Sequence, residues 1–261
     1  MNAKSRINIF LSGIILIFSM SFFIYYSNVS LIFKPYGFEL KKNNDLAFNP
    51  VKKKKKKIAL KKIIVTKKNL IDTSSKRFLL IGDSEIEGLR NPFYDYCKKN
   101  GHELALAMIW YSSTDMTYAN SDTLKKIIDQ YKPNHIVMAI GLNQIYQTSF
   151  EGSEQAIEKI IETFDTIPYT WIGPANWTED KGINSLYQHK IDTGKFFLSK
   201  NLVLERARDG RHPSNSACFI WMDSIASWMQ NKSSWKMKMN RPDSMEKSRK
   251  INLMTLTVGK N

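Results

Sequence analysis

The stretch FLLIGDS, residues 78–84, decides the predicted fold of this chain. Its first four residues are a short apolar run, which is typical of a strand buried on both faces of a parallel sheet. Gly-Asp-Ser follows at once, and these residue types favour a turn. We therefore predict a strand over residues 77–81, with Ser84 at its carboxyl end, where sites form in parallel sheets.

Strands and helices alternate after this first strand. Further strands are predicted at residues 103–109, 135–140 and 169–172. Helices are predicted at residues 92–100, 121–131, 153–164 and 213–228. Alternation of this kind implies parallel pairing with right-handed crossovers, so the predicted fold is α/β, a three-layer α/β/α sandwich. Residues 173–194 show little pattern and are expected to form a long loop.

A second motif, DGRH at residues 209–212, places an Asp three residues before a His. A serine hydroxyl needs a neighbouring base to become a nucleophile, and an imidazole needs a third group to orient it. Ser84, His212 and Asp209 are therefore the candidate nucleophile, base and orienting carboxylate. In the alternative interpretation, Gly-Asp-Ser is only a turn, and Asp209 or Ser214 caps a helix and leaves His212 exposed.

Donors for a developing oxyanion are also expected at this rim of the sheet. The backbone N–H of Ser84 is one, and the side-chain amide of Asn143, which follows the third strand, is another. Residues 110–114 leave the end of the second strand and reach the same rim. The Gly-x-Ser-x-Gly elbow of α/β-hydrolases is absent, because Ile86 stands two residues after Ser84.

On the motifs GDS (82–84), GLN (141–143) and DGRH (209–212), the chain resembles the SGNH hydrolase superfamily, or GDSL-type esterases and acyltransferases. The resemblance covers residues 77–228. It implies a flavodoxin-like α/β/α sandwich and ester chemistry.

The resemblance also implies roles for single residues. Ser84 becomes the nucleophile, His212 the base and then the acid, and Asp209 its partner. The implied oxyanion hole combines Ser84, Asn143 and the backbone N–H of a glycine after the second strand. This chain has no glycine there, and the resemblance implies Ser112 or Ser113 at that position.

Aromatic residues near the strand ends are candidates for substrate binding. Trp110, Tyr111 and Trp177 either stack on a sugar ring or pack in the core and at the rim. Arg211 either holds an anionic group of the substrate or is a solvated surface residue. The two cysteines, Cys97 and Cys218, are either a disulfide or buried thiols. No Cys/His cluster has metal-ligand spacing, and we expect no metal and no cofactor.

Charge is concentrated outside the predicted domain. The chain has 261 residues, a net charge of +15 and 43% hydrophobic residues, which excludes disorder throughout. Six consecutive lysines occupy residues 52–57, and a second basic stretch covers residues 232–250. Such runs are either solvated linkers or contacts for anionic lipid or nucleic acid. Because residues 52–57 follow an apolar segment, lipid is the better partner and nucleic acid is not expected.

That apolar segment, residues 7–26, carries no charge and has the length of a membrane span. No small-residue cleavage site follows, which favours an uncleaved signal anchor with its N-terminus inside. The lysines on the other flank leave the opposite orientation open. The predicted organisation is a cytoplasmic tip and anchor (1–29), a stalk (30–75), a catalytic domain (76–231) and a basic, disordered tail (232–261).

These features together predict a single-pass membrane protein with its domain on the outer side of a bacterial cell membrane. The predicted activity is a serine esterase that removes O-acyl, above all O-acetyl, groups from cell-surface carbohydrate. An O-acetyltransferase would use the same residues, and a non-catalytic glycan-binding domain is the third alternative. The sequence does not distinguish hydrolysis from transfer.

Overall fold

The computed structural model describes residues 31–33, 38–40, 70–246 and 248–259. The predicted membrane span and the lysine run at residues 52–57 lie outside these ranges. Within them, no helix combines the length and the apolar character that crossing a membrane requires.

The chain divides into two units after Ile63. The first unit contributes a short antiparallel pair, β1 (Leu31–Phe33) with β2 (Phe38–Leu40). The second unit is built on a six-stranded sheet in the order β7-β6-β5-β3-β4-β8, in which every neighbouring pair is parallel. Its strands are β3 (Arg77–Gly82), β4 (Glu103–Tyr111), β5 (His135–Ala139), β6 (Tyr169–Ile172), β7 (Phe196–Phe197) and β8 (Leu253–Thr257).

Helices cover both faces of this sheet. They are α1 (Glu85–Asn100), α2 (Asp115–Ala119), α3 (Thr123–Tyr131), α4 (Ser153–Phe164), α5 (Ile183–Lys190) and α6 (Asn215–Asn231). Phe78 and Leu80 of β3 pack with α1 and α6 in one apolar core. Leu79 and Ile81 pack with α2, α3, α4 and α5 in a second core. The continuous apolar run of β3 is explained by burial on both sides, and the predicted parallel α/β fold is confirmed.

Two helix and loop predictions differ from the structure. Helix α1 begins at Glu85 rather than at residue 92, and Pro92 lies buried inside it. A proline removes one backbone hydrogen bond, so the sequence pattern favoured a helix start there. Packing of α1 against the sheet outweighs that loss. Helix α5 lies within the stretch that was predicted to be a loop, and it contributes the buried residues Ile183 and Tyr187 to the second core.

The basic stretch after residue 231 belongs to the folded unit, contrary to the expected disordered tail. Strand β8 pairs with β4 at the edge of the sheet. Met237 and Met239 are buried in the first core, and Arg249 forms an ion pair with the buried carboxylate of Asp95. The many lysines of the stretch hid this short apolar pattern, and a parallel edge strand depends on β4, which is distant in sequence.

Glycine at position 82 sets the geometry where β3 enters the turn. A Cβ atom there would lie 1.7 Å from the backbone oxygen of Ala139 in β5. Only glycine therefore lets β3 and β5 approach this closely at their carboxyl ends. The turn carrying Ser84 and the turn carrying Asn143 are consequently held side by side at one rim of the sheet.

Candidate active site

The structure brings Ser84, His212 and Asp209 together, although the chain separates the first two by 128 positions. The Oγ atom of Ser84 lies 2.8 Å from Nε2 of His212. Nδ1 of His212 lies 2.5 Å from Oδ2 of Asp209. These contacts align a hydroxyl, an imidazole and a carboxylate in the order that nucleophilic catalysis by serine requires.

The loop that carries Asp209 holds its carboxylate in place. Oδ1 of Asp209 accepts hydrogen bonds from the backbone N–H groups of Arg211 at 2.8 Å and His212 at 3.0 Å. The hydrogen bond with the His212 side chain, together with that of the Arg211 N–H, lowers the pKa of Asp209 to about 2. Asp209 is therefore ionised at neutral pH, although 47% of its side chain is exposed.

Asp83 connects the Ser84 turn to the Asn143 turn. Its Oδ2 atom accepts hydrogen bonds from the N–H groups of Gly141 and Leu142, both at 3.0 Å. Its Oδ1 atom accepts one from the N–H of Glu85 at 3.0 Å. Complete burial raises the pKa of Asp83 to about 6.

Ser112 is one of the two residues that were expected to supply a backbone donor after the second strand. Its φ of +60° lies in the left-handed region that favours glycine. The N–H of Ser113 donates to the Trp110 carbonyl at 3.2 Å and is not available to a substrate. Within the described residues, the backbone N–H groups of Ser84 and Ser112 donate to no acceptor. Ser112 is therefore the better candidate for an oxyanion donor than Ser113.

Asn143 is exposed and faces the same segment. Its Nδ2 atom donates to the Ser113 carbonyl at 2.9 Å, which fixes the amide and leaves its second hydrogen for a ligand. The structure thus provides three donor groups at one rim, from Ser84, Ser112 and Asn143. These are the donors that the sequence analysis named as candidates for an oxyanion hole.

Glu85 and Arg206 are two supporting residues that the sequence analysis missed. Oε1 of Glu85 accepts the N–H of Ala175 at 2.8 Å, while its Oε2 atom is buried with no hydrogen-bond partner. Burial, and then the charge of Asp83, raise the pKa of Glu85 well above its ordinary value. A single Glu at a helix start and a single Arg in a loop give no sequence signal, because their partners are distant in the chain.

Arg206 links two loops of the site. Its guanidinium donates to the carbonyls of Ala175 at 3.1 Å, Asn176 at 2.5 Å and Arg211 at 3.1 Å. The segment that leads to Trp177 is thereby tied to the loop that carries His212.

The three predicted substrate-binding aromatic residues have different surroundings. Trp110 packs edge-on against the buried ring of Tyr118 at 5.2 Å. The hydroxyl of Tyr111 donates to Glu87 at 3.1 Å. The Trp177 ring is half-buried and lies 5.2 Å from the guanidinium carbon of Arg211. Trp177 is therefore the one that contacts the loop of His212.

A small cavity of about 230 Å³ adjoins Ser84 and His212. Cys218 lines it and is a buried free thiol, as is Cys97. A larger cavity of about 430 Å³ lies around Lys76 and His135, which is at the opposite end of β5 from the Ser84 turn. Among the described residues, no group of three or more His, Cys, Asp and Glu side chains could hold a metal ion.

Comparisons with known proteins add little to this geometry. No protein-family model matches the chain, and no curated protein matches it. Among solved structures, it is similar to BT4096, a gut microbial diltiazem-metabolizing enzyme, at 15% identity and a TM-score of 0.40. That match covers 59% of this chain and 47% of the other, so the chain spans about half the length of BT4096. A likeness of this extent decides neither the fold nor the activity.

Proposed function

We propose that this chain is a serine ester hydrolase of the SGNH type. The observation that carries the proposal is the pair of contacts at His212: 2.8 Å to the hydroxyl of Ser84 and 2.5 Å to the carboxylate of Asp209. A chance turn and a helix cap would not align these groups. Ser214 caps helix α6, as the alternative interpretation allowed, and its Oγ accepts from the N–H of Ala217. His212, however, is only partly exposed and contacts both Ser84 and Asp209.

The reaction begins with attack of the Ser84 oxygen on the ester carbonyl carbon. His212 Nε2 takes the hydroxyl proton, and Asp209 holds the Nδ1–H and stabilises the imidazolium. The N–H groups of Ser84 and Ser112 and the amide of Asn143 donate to the oxyanion. His212 then protonates the leaving alcohol oxygen, which breaks the ester bond. Water, deprotonated by His212, attacks the acyl-enzyme. His212 then returns that proton to the Ser84 oxygen as the bond to the acyl carbon breaks, and the carboxylic acid is released.

We propose an O-acyl carbohydrate as the substrate, with acetyl as the acyl group. The partly exposed ring of Trp177 supports a carbohydrate, because sugar rings stack on aromatic faces. Transfer of the acyl group to a sugar hydroxyl would use the same side chains.

The third alternative is a non-catalytic glycan-binding domain, and we favour the enzyme over it. The main support for the glycan-binding alternative was the missing glycine after the second strand. The left-handed backbone of Ser112, which a glycine would also adopt, supports a donor N–H at this position.

We also propose that the chain is anchored in the cell membrane by residues 7–26, with the domain on the outer side. Lysines 52–57 would contact anionic lipid headgroups. Both proposals depend on the sequence alone: the apolar span, the lysine run and their proximity.

Hydrolysis of an aryl acetate by the full-length chain tests the proposed activity. We expect Ser84→Ala and His212→Ala to lower kcat/KM by at least about 10³-fold, because triad residues act as a unit. The exposed residues Ser227 and His189 provide matched controls, as Ser227→Ala and His189→Gln. Wild-type rates in the two triad variants would refute the enzyme proposal. With an acetylated sugar and an acceptor sugar present, free acetate indicates hydrolysis and acetylated acceptor indicates transfer.

A further inference from the structure

A cation and two aromatic rings lie together on segments that neighbour the residues of the triad. The guanidinium carbon of Arg211 lies 5.2 Å from the centre of the Trp177 ring, and the Tyr146 ring meets Trp177 edge-on at 5.2 Å. We call Tyr146, Trp177 and Arg211 the Trp177 platform. Tyr146 and Arg211 are exposed, and Trp177 is partly exposed. The Trp177 platform therefore offers an accessible surface that is apolar and positively charged.

Hydrogen bonds fix the Trp177 platform relative to the triad. Glu85, which follows the nucleophile directly, accepts the N–H of Ala175, two residues before Trp177. Arg206 donates both to the Ala175 carbonyl and to the carbonyl of Arg211, which precedes His212 directly. The segment that carries Trp177 is therefore tied by hydrogen bonds to residues directly beside Ser84 and His212.

The guanidinium of Arg211, which gives the Trp177 platform its positive charge, is not held in an ion pair. Among the ion pairs of the described residues, none involves the Arg211 side chain. The acid nearest to Arg211 in sequence is Asp209. Its carboxylate accepts the backbone N–H of Arg211 and contacts the imidazole of His212. A single guanidinium beside an ionised carboxylate suits a ligand with one negative charge better than one with two.

We propose that the Trp177 platform binds a sugar ring that carries a carboxylate, so that the substrates are O-acylated acidic sugars such as acylated uronates. This inference rests on the proposed ester hydrolysis and specifies its substrate class. Because the Arg211 guanidinium lies over the Trp177 ring, the sugar ring packs against the exposed Tyr146 ring beside it. The planar guanidinium of Arg211 donates two parallel hydrogen bonds to the carboxylate. A charge-assisted contact of this kind contributes about 10- to 150-fold in affinity or rate.

The test compares three esters with the full-length chain: a mono-O-acetyl methyl glucuronoside, the matching glucoside, and the matching sugar phosphate. Acetate release gives kcat/KM for each ester. We expect the wild type to prefer the uronate over the neutral sugar by at least about tenfold. Arg211→Gln should bring this ratio close to one, Arg211→Lys should retain part of it, and high salt should reduce it. Arg208→Gln, which removes an exposed charge from the same loop, is the matched control and should leave the ratio unchanged.

The outcomes separate this inference from the proposed function. Failure of the wild type to hydrolyse any ester, including an aryl acetate, refutes both. Hydrolysis of the aryl acetate with a uronate-to-neutral ratio near one, or with no sugar ester turned over, overturns the inference alone. A preference for the phosphate, or a ratio that Arg211→Gln leaves unchanged, also overturns it. A merely structural role of Arg211 would lower all rates equally and would not move the ratio.

Discussion

Replacement of Asp209 by Asn tests the orienting role of its carboxylate. In the structure, Oδ1 of Asp209 accepts the N–H groups of Arg211 and His212, and Oδ2 accepts Nδ1–H of the imidazole. Asp209→Asn keeps the oxygen that organises the loop and puts an NH₂ group opposite Nδ1. The imidazole must then accept at Nδ1 and carry its proton on Nε2, where it cannot take the proton of Ser84.

Two effects determine the size of the loss. The charge-assisted bond that stabilises the imidazolium contributes about 1.5–3 kcal/mol, or about 10- to 150-fold in rate. The wrong tautomer adds to this, and where the triad carboxylate is buried the corresponding change costs about 10⁴-fold in kcat. Because Asp209 is 47% exposed, water competes for the imidazole and weakens both effects. We therefore expect Asp209→Asn to lower kcat by about 10²–10³-fold, with little change in KM.

The assay is steady-state hydrolysis of an aryl acetate by the full-length chain, with a thermal unfolding curve for each variant. Asp129→Asn, which changes an exposed carboxylate on α3, is the matched control. A drop of less than about threefold in kcat, with unchanged folding, would refute the orienting role of Asp209.

Three further predictions concern the support of the site. The pKa of buried Glu85 is raised in the folded state. Its contribution to stability is therefore full below about pH 4.5 and is lost as the pH rises through the raised pKa. Glu85→Gln should flatten the fall of Tm with pH and leave only the smaller decline, up to about pH 6, that Asp83 causes. Ser112→Val should lose at least about tenfold more kcat/KM than Ser112→Gly, because a β-branched residue resists the left-handed backbone that presents the oxyanion donor. A Cβ at Gly88 would lie 2.4 Å from the Cys218 sulfur. Gly88→Ala should therefore lower the free energy of unfolding in urea by about 1–3 kcal/mol. Adding Cys218→Ala should recover part of that loss in the double variant.

Each of these predictions has a contrary outcome. An unchanged pH profile of Tm in Glu85→Gln would mean that Glu85 is ionised in the folded chain at neutral pH. Equal kcat/KM for the two Ser112 variants would show that this backbone position does not shape the oxyanion site. Additive losses for the Gly88 and Cys218 changes would contradict their contact.

The central sheet and the triad were accessible from the sequence because each is signalled locally. The apolar run before Gly82 predicts a strand buried on both faces, and the structure places it at the centre of the sheet. The Asp-x-x-His spacing predicts the contact between Asp209 and His212, which lies within one loop. Ser84 follows the end of a strand, and the loop of His212 leads to the same rim of the parallel sheet. The sequence therefore also predicted that His212 and Ser84 would meet.

What the sequence could not indicate depends on contacts between distant segments. Strand β8 exists because β4 offers a free edge, and its basic surroundings hid its short apolar alternation. The hydrogen bonds of Glu85 and Arg206 connect loops that are 30 to 90 positions apart. The left-handed backbone of Ser112 is not encoded by a serine, since glycine is the residue that signals it.

Labelling with a fluorophosphonate probe tests the central claim most directly, because such a probe reacts with a serine only when a base has activated it. With the full-length wild type, we predict a single adduct, which mass spectrometry locates on Ser84. Ser84→Ala should abolish the adduct, His212→Ala should slow its formation by at least about 10²-fold, and Ser227→Ala should leave it unchanged. An unlabelled Ser84 in the folded wild type, or an equal rate of labelling without His212, would contradict the account.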